Sequence, residues 1–313
     1  MNCPVCNCGT KNINSVYLLG LIESSTYYCP NCGLYFRTPL PSIEAIYSYY
    51  TSRYFRYPES IEMEMARRQG SFILRKLSNE QIDLSKINYL EFGAGRGWVL
   101  SYLQSFGSIN STMGIEPDEV SVRWGRENLE VNLNKGTLNE DLITEISLNY
   151  PETNLISLIH VLEHLHNPFE LLALLKKNLK EHFLFLEIPN AEQEGPVMKI
   201  DTFPWSSMGQ HFWSFSAKSL RLSLENCGYQ IISLETEGNP HYWDRSIERL
   251  SLWNRYFNFI SEKQRYGDLN LMDFFTATCN LVARNGIIKV KSLVAPKYTR
   301  LDLPIIRILA KSA

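Results

Sequence analysis

The amino-acid sequence predicts an α/β fold in which a mainly parallel sheet follows a small cysteine-rich module. From Ile87 onward, strand-like and helix-like patterns alternate, which is typical of a parallel sheet with helices on both faces. Three glycines at every second position, Gly93, Gly95 and Gly97, stand where the first of these strands gives way to a helix. Five of the seven cysteines lie within the first 32 residues, well before this alternating region.

The composition is that of a folded protein without a strong charge bias. With 313 residues and 44% hydrophobic content, the chain is long enough to bury one large core or two smaller ones. Its formal net charge of −2 gives no overall attraction to nucleic acid or to an anionic membrane. The chain opens without a signal-peptide pattern and has no apolar run long enough to span a bilayer. We therefore expect a cytoplasmic protein with no membrane partner.

Residues 1–41 are predicted to form a zinc-binding ribbon. Two C-x-x-C pairs, separated by 22 residues that include β-prone side chains, supply four candidate ligands: Cys3, Cys6, Cys29 and Cys32. In a reducing compartment such crowding favours metal over disulfides, and four thiolates suit tetrahedral Zn²⁺. Cys8 is an alternative to Cys6, because both lie in one tight turn. A closed four-thiolate site leaves zinc no open position, so a structural role is favoured over a redox or catalytic one.

Residues 42–86 are predicted to form a helical linker or lid. Aromatic side chains recur at helical spacing between Tyr47 and Tyr57, and an amphipathic helical pattern continues over residues 58–78. Two interpretations stay open. The aromatic side chains either pack between the ribbon and the α/β domain or cover a bound ligand.

The glycine-rich turn is the first candidate ligand site. Glycines at these positions permit positive φ and let a ligand approach the backbone, while the following helix offers unpaired N–H groups. The spacing differs from the G-x-G-x-x-G fingerprint of dinucleotide sites. Glu91, at the end of the strand, would repel a phosphate but suits a ligand that carries an ammonium group.

In the E-x-G-x-G-x-G form of this turn, the sequence resembles class I S-adenosylmethionine (SAM) methyltransferases over residues 87–283. The resemblance implies a Rossmann-like seven-stranded methyltransferase core, residues 87–284, with SAM as the cofactor. Glu116 ends the second strand, where an acid binds ribose hydroxyls in α/β nucleotide sites. The residues expected to contact SAM are Glu91, Gly93, Ala94, Gly95, Gly97, Trp98, Glu116, Leu138 and His160.

The remaining strands of the core are predicted from their apolar runs. A third strand is expected over residues 129–133, the central one over residues 154–162 and the final antiparallel one over residues 277–283. Residues 239–273 are interpreted as a helical insertion that shapes a substrate pocket or a dimer contact. Residues 285–313 are interpreted as a C-terminal tail that docks on the body.

Two later segments resemble a methyltransferase subfamily that acts on small molecules, including ubiquinone-precursor and sugar methylating members. The first is HVLEHLHNPFELL, residues 160–172, in which Asn167 and Pro168 form a sound helix start. The second is QHFWSFSAKSLRLSLENCGY, residues 210–229, in which a histidine and aromatic residues precede a helix capped by Ser216.

Three side chains in these segments are candidates for handling the proton of a methyl acceptor. His164 follows the central strand, at the sheet edge where open α/β folds bind ligands, so it is the first candidate base. His211 is the second. Glu163 either orients one of these imidazoles or pairs with a surface cation. The plain alternative is that His164 holds the turn and His211 is a partly buried loop residue.

These features predict a SAM-dependent methyltransferase that transfers a methyl group to an oxygen or carbon atom of a small metabolite. A nucleotide sugar, a polysaccharide precursor and a secondary metabolite are the expected substrate classes. The alternatives are a zinc-ribbon RNA methyltransferase and a non-catalytic scaffold that keeps SAM as a structural ligand. The small net charge and the lack of a basic run in the ribbon argue against RNA.

Overall fold

A computed structural model describes residues 1–52, 59–150, 154–191, 210–237, 278–279 and 305–312. The chain divides into two compact units, one formed by Met1–Glu237 with Pro304–Ala313 and the other by Gly238–Leu303. In the second unit, only the helical pair Thr278 and Cys279 is described. The predicted insertion, residues 239–273, therefore lies outside the described residues, as do Tyr54, Phe55 and Tyr57 of the aromatic cluster.

The first unit begins with a small antiparallel sheet. Its first three strands are β1 (Lys11–Leu18), β2 (Ile22–Tyr28) and β3 (Tyr35–Thr38). A fourth strand, β9 (Trp213–Ser214), comes from a distant part of the chain and pairs antiparallel with β3. Two helices follow the first three strands: α1 (Ile43–Ser52) and α2 (Glu59–Asn79). The bounds of α2 confirm the amphipathic helix predicted over residues 58–78.

The rest of the first unit alternates strand and helix, as the sequence predicted. Its elements are β4 (Asn88–Phe92), α3 (Trp98–Ser105), β5 (Ser111–Glu116), α4 (Glu119–Leu129), β6 (Leu133–Lys135), α5 (Glu140–Asn149), β7 (Leu155–Ile159), α6 (Pro168–Asn178), β8 (Phe183–Pro189), α7 (Ala217–Asn226), β10 (Tyr229–Glu237) and β11 (Ile305–Ser312). Short 3₁₀ turns lie at Leu84–Lys86 and Leu162–His164.

Seven of these strands form one sheet in the order β10-β11-β8-β7-β4-β5-β6. The five strands from β8 to β6 pair in parallel, and β11 pairs antiparallel with both β8 and β10. This confirms the predicted α/β class with a seven-stranded, Rossmann-like core.

The sheet separates two buried apolar clusters. Because side chains alternate along a strand, Tyr89 joins one cluster while Leu90 and Phe92 join the other. Helices α2, α3 and α4 contribute to the first cluster, and α5, α6 and α7 to the second. Buried side chains of the small sheet belong to the second cluster as well. None of the described helices is long and apolar enough to cross a membrane.

Two strand positions differ from the prediction. Helix α4 continues to Leu129, and the third strand is Leu133–Lys135 instead of residues 129–133. The prediction was misplaced because a leucine fits the end of a helix as well as the start of a strand. The place of the final antiparallel strand, between β8 and β10, belongs to Ile305–Ser312, which the sequence analysis interpreted as part of a tail. Of the residues predicted for that strand, 277–283, only Thr278 and Cys279 are described, and both are helical; the others lie outside the described residues. Both segments are apolar and β-prone, so long-range pairing decides between them.

Candidate active site

The strand order changes sides at β4: strands β5 and β6 are added on one side of β4, and strands β7 and β8 on the other. In open α/β sheets, ligands bind outside the carboxyl ends of the strands at such a switch point. The glycine-rich turn follows β4, Glu116 ends β5, and His160 follows β7. The order of the strands therefore brings the three predicted segments to one edge.

The glycine-rich turn needs its glycines for two physical reasons. Gly93, Gly95 and Gly97 have φ values of 69°, 55° and 82°, in the left-handed region that side chains rarely adopt. A Cβ added at Gly93 would lie 2.4 Å from a methyl carbon of Val161, just past β7. The turn therefore lies tightly against the end of β7, and Gly97 starts helix α3.

Glu116 lies against this turn. The Gly95 N–H donates to Glu116 Oε2 over 2.9 Å, and the Asp118 N–H donates to Glu116 Oε1 over the same distance. These bonds hold the carboxylate at the mouth of the turn, and a carboxylate can accept from hydroxyl donors. Asp118 is the N-cap of α4 and accepts from the backbone N–H groups of Val120 and Ser121.

Glu91 is a buried acid beside the turn. Its side chain is 3% exposed, and Oε2 has no hydrogen-bond partner among the described residues. Burial, with further contributions from Glu116 and Glu187, raises the pKa of Glu91 to about 8. A buried carboxyl oxygen without a hydrogen-bond donor is destabilising, and an ammonium group would supply the missing donor to Oε2. Glu91 Oε2, which lacks a donor, and the glycine-rich turn, whose backbone a ligand can approach, thus fit the amino-acid end of SAM.

The other predicted cofactor contacts surround this turn or follow the next strands. Ala94 is buried within the turn, and its N–H donates to the carbonyl of Ile115. Trp98 opens α3 and donates from Nε1 to Glu62 Oε2 over 2.7 Å. Leu138 is partly buried after β6. Their contact with SAM stays a prediction.

His160 lies at the carboxyl end of β7 in an uncommon backbone conformation, with φ of 53°. Its Nδ1 is 3.5 Å from Glu163 Oε1, and its Nε2 is 3.3 Å from Glu187 Oε1. Burial lowers the pKa of His160, but these two carboxylates outweigh it and raise the pKa to about 10. The ring is therefore a fixed cation between two acids.

Glu163, His164 and His211 form a cluster next to this histidine. One ligand atom from each of the three side chains lies within 4.8 Å of the other two. Glu163 is 2% exposed, which rules out the alternative that it pairs with a surface cation. The His164 and His211 rings meet edge to face with centroids 4.7 Å apart. The structure brings together the three side chains that the sequence singled out, and their catalytic roles stay a prediction.

Helix α1 contacts this cluster. The Tyr50 hydroxyl lies 2.8 Å from His164 Nδ1, and the Gln210 side chain donates to the Tyr49 hydroxyl over 2.7 Å. His164 Nδ1 also lies 2.9 Å from the carbonyl oxygen of Gln210. A ring N–H that donates to this carbonyl leaves the lone pair on Nε2. Burial lowers the pKa of His164, and burial is also the main cause that lowers the pKa of His211 to about 3, so both rings are neutral at pH 7.

The four predicted metal ligands come together at the start of the chain. Cys3 Sγ lies 3.5 Å from Cys32 Sγ, Cys6 Sγ lies 3.4 Å from Cys29 Sγ, and all four sulfur atoms are within 4.8 Å of one another. Cys8 is outside this group, and its thiol donates to the Cys6 carbonyl.

The cysteine-rich sheet is bonded to the segment that carries His211. Strand β9 begins two residues after His211 and completes the sheet through the pairing of Trp213 with Phe36. The Arg37 N–H donates to the Phe212 carbonyl over 3.1 Å, and the Arg37 guanidinium donates to the His211 carbonyl. Arg37 is 4% exposed, so this contact is buried. The cysteine-rich sheet thus fixes the backbone of a candidate site residue.

The sequence analysis missed the buried carboxylate of Glu187, which lies next to His160. The Gln69 side chain on α2 donates to Glu187 Oε1 over 2.7 Å, and Arg307 Nε on β11 donates to Glu187 Oε2. Glu187 also faces His160. A signal was available, since an acid within the apolar strand FLFLEIP and a base within PIIRILA are each unusual in a covered sheet.

The comparisons with known proteins agree with this geometry. Residues 64–234, more than half of the chain, match the family described as "Methyltransferase domain". The chain belongs to this methyltransferase family. Together with the seven-stranded fold, the family makes it a class I SAM-dependent methyltransferase, which confirms the resemblance seen in the sequence. No curated protein sequence matches the chain.

One solved methyltransferase structure reaches a TM-score of 0.50 against this chain, and two others align with lower scores. A Galdieria sulphuraria protein described as a sarcosine dimethylglycine methyltransferase aligns with a TM-score of 0.50 and 12% identity, over 82% of this chain and 92% of that chain. The plantazolicin methyltransferase BpumL, solved with SAH, gives 0.45 and 15% over 87% and 90%. A SAM-dependent methyltransferase from Archaeoglobus fulgidus gives 0.40 and 16% over 77% and 94%.

Proposed function

We propose that this methyltransferase transfers the methyl group of SAM to an oxygen or carbon atom of a small metabolite. A nucleotide sugar, a polysaccharide precursor or a secondary metabolite fits this description. The observation that carries the proposal is the buried cluster of Glu163, His164 and His211 beside the end of β7. An amine or thiolate acceptor needs only positioning, whereas a hydroxyl or an acidic carbon must also lose a proton. Ionisable groups on this side therefore favour an oxygen or carbon acceptor.

The cofactor half of the proposal assigns a contact to each part of SAM. When bound, SAM supplies a methyl group on a positively charged sulfur. Glu91 pairs with the ammonium group, the backbone of Gly93 to Gly97 lines the amino-acid end, and Glu116 accepts from the ribose hydroxyls. Leu138 contacts the adenine. The orphaned Glu91 oxygen and the Gly95 to Glu116 hydrogen bond support this arrangement.

In the acceptor half of the proposal, the histidines remove the proton from the methyl acceptor. His164 is the first candidate base and His211 the second, while Glu163 orients the rings. In support, His164 Nε2 lies 3.9 Å from Glu163 Oε1, and its Nδ1 is occupied by Gln210 and Tyr50. Helix α1 serves as a lid over this side, within the proposed linker of residues 42–86. Replacing Tyr50 with Phe should then change KM for the acceptor more than Kd for SAM.

The cysteine cluster is proposed as a structural zinc site in a ribbon of residues 1–41. Four cysteine sulfur atoms within 4.8 Å of one another suit tetrahedral Zn²⁺ with no open position. The two turns are already shaped for it, since the Asn7 N–H donates to the Cys3 carbonyl and the Gly33 N–H to the Cys29 carbonyl.

The test combines binding and turnover on the full chain. Calorimetry should show saturable SAM binding, and a panel of sugar nucleotides and phenolic acceptors should then be screened for methylation. His164→Gln and His211→Gln should lower kcat with little change in Kd for SAM. His166→Gln is the matched control, because His166 is exposed two residues from His164.

Three results would contradict the proposal. Absence of SAM binding by zinc-loaded protein would remove the cofactor assignment. Retention on RNA with a steep salt dependence would make RNA the substrate class. Turnover on a true acceptor that neither histidine variant affects would remove the proposed bases.

A further inference from the structure

We propose that Glu163, His164 and His211 together bind one divalent transition-metal ion, such as Zn²⁺, Fe²⁺ or Co²⁺. This inference rests on the proposed function, because it specifies how the acceptor side handles an oxygen atom. One ligand atom from each side chain lies within 4.8 Å of the other two. Ligand atoms about 2.1 Å from a tetrahedral ion are about 3.4 Å apart, so small side-chain rotations would complete the site.

The donor set selects the kind of ion. Two imidazole nitrogens and one carboxylate oxygen suit Zn²⁺, Fe²⁺ and similar ions, whereas Mg²⁺ and Ca²⁺ prefer oxygen ligands alone. Three protein ligands leave a position open, as catalytic rather than structural metal sites require. The cluster therefore differs in kind from the four thiolates of Cys3, Cys6, Cys29 and Cys32, which close their site.

Glu163 supplies an independent observation. Its side chain is 2% exposed, and neither carboxylate oxygen has a hydrogen-bond partner among the described residues. The charged His160 ring, with Nδ1 3.5 Å from Oε1, offsets part of the Glu163 charge, and His164 Nε2 lies 3.9 Å away, but both distances are longer than a normal hydrogen bond. Two buried carboxylate oxygens that accept no hydrogen bond are destabilising, and a metal ion between Glu163 and the rings of His164 and His211 would supply the missing contact.

The surroundings of the cluster hold its ligands in a metal-binding arrangement. The proton on His164 Nδ1 points to the Gln210 carbonyl at 2.9 Å, so Nε2 keeps a lone pair on the side of Glu163. Histidine ligands of metals commonly donate their other ring N–H in this way. The Phe212 N–H donates to the Glu163 carbonyl over 2.9 Å, which fixes the His211 segment against the turn that carries the other two ligands.

The open position would take the acceptor. A hydroxyl oxygen bound to the ion has a lowered pKa, and its proton leaves to bulk water, so the acceptor presents an oxygen anion at neutral pH. Glu163, His164 and His211 would then act as one ligand set rather than as separate bases. An acceptor with a second oxygen next to the reacting hydroxyl would be held best, since it can occupy two positions on the ion.

The test is a Co²⁺ titration of the full chain with its ribbon loaded with zinc. Calorimetry should show one Co²⁺ bound per chain with no zinc released. The bound cobalt should lack the thiolate charge-transfer absorption that replacement of ribbon zinc would produce. His164→Ala and His211→Ala should weaken Co²⁺ binding by at least about 100-fold, the upper range for loss of a mere supporting residue. His166→Ala should leave it unchanged.

If the alanine variants fail to fold, Glu163→Gln replaces them, because it keeps the side-chain volume. It should also weaken Co²⁺ binding. Wild-type protein that takes up cobalt only by releasing zinc would overturn the inference, as would His164→Ala binding Co²⁺ like wild type. SAM calorimetry on the same samples separates the two proposals. SAM binding without Co²⁺ binding overturns the metal site alone, whereas loss of SAM binding by the wild type overturns the proposed function.

Discussion

Replacing Glu91 with Gln tests the buried carboxyl group in the cofactor half of the site. The Glu91 carboxyl is buried at the end of β4, and burial raises its pKa from 4.5 to about 8. Glutamine has nearly the same shape but cannot ionise. The variant should therefore be more stable than wild type at neutral pH and should bind SAM more weakly.

The size of the stability effect follows from the shift in the Glu91 pKa. The unfolded chain releases this proton above pH 4.5, whereas the folded chain keeps it up to about pH 8. Stability is therefore complete below pH 4.5 and falls as pH rises toward 8. At about 1.4 kcal/mol for each pH unit, the carboxyl lowers the free energy of unfolding by about 3 kcal/mol at pH 7. The glutamine variant should escape this loss.

The effect on SAM follows from the same group. Pairing with an ammonium group favours the ionised carboxylate, so SAM binding at pH 7 should release close to one proton from wild type and none from the variant. Losing a hydrogen bond to a charged group removes about 1.5–3 kcal/mol, so Kd for SAM should rise roughly 10- to 100-fold. Calorimetry in buffers of different ionisation enthalpy measures both quantities.

The stability assay is urea unfolding between pH 5 and 8, with Glu119→Gln as the control. Glu119 is exposed on α4, so this exchange reports the substitution itself. If wild type and Glu91→Gln lose stability equally over this pH range, the raised pKa is refuted. Proton release on SAM binding that persists in the variant would show that another group pairs with the cofactor.

Three further predictions concern the turn and the ribbon. Gly93→Ala should abolish SAM binding and destabilise the fold by more than Gly107→Ala, measured by thermal unfolding, because both have positive φ but only the former meets a valine methyl; equal losses would contradict this. Arg37→Met should lower the free energy of unfolding by about 1.5–3 kcal/mol and reduce kcat, with Kd for SAM unchanged, because it loses the bond to the His211 carbonyl; unchanged kcat would count against it. Cys29→Ser should reduce zinc content, measured by elemental analysis, and lower the unfolding temperature; full zinc retention would exclude the cluster.

The features predicted correctly from sequence are those that local chemistry determines. The glycine-rich turn, the Asn167 cap with Pro168 behind it, and the Ser216 cap all depend on residues within a few positions of one another. The gathering of Glu116, His160 and the glycines at one edge follows from strand order, which the βα alternation implies.

The features that the sequence did not yield depend on distant partners. Ile305–Ser312 and the segment around residue 280 are equally suited to a strand, and only pairing with β8 and β10 distinguishes them. Strand β9 has two residues, too few for any periodic pattern. The contact of Glu187 with Gln69 and Arg307 joins three elements far apart in the chain, and no local pattern pairs them.

The pairing of β9 with β3 has a consequence for how the protein is made and divided. During synthesis, β1 to β3 leave the ribosome long before Trp213 and Ser214, so the cysteine-rich sheet gains its last strand only after most of the parallel sheet exists. Cutting the gene after residue 41 would not release an intact catalytic half, because Trp213 and Phe215 would lose the surface they cover.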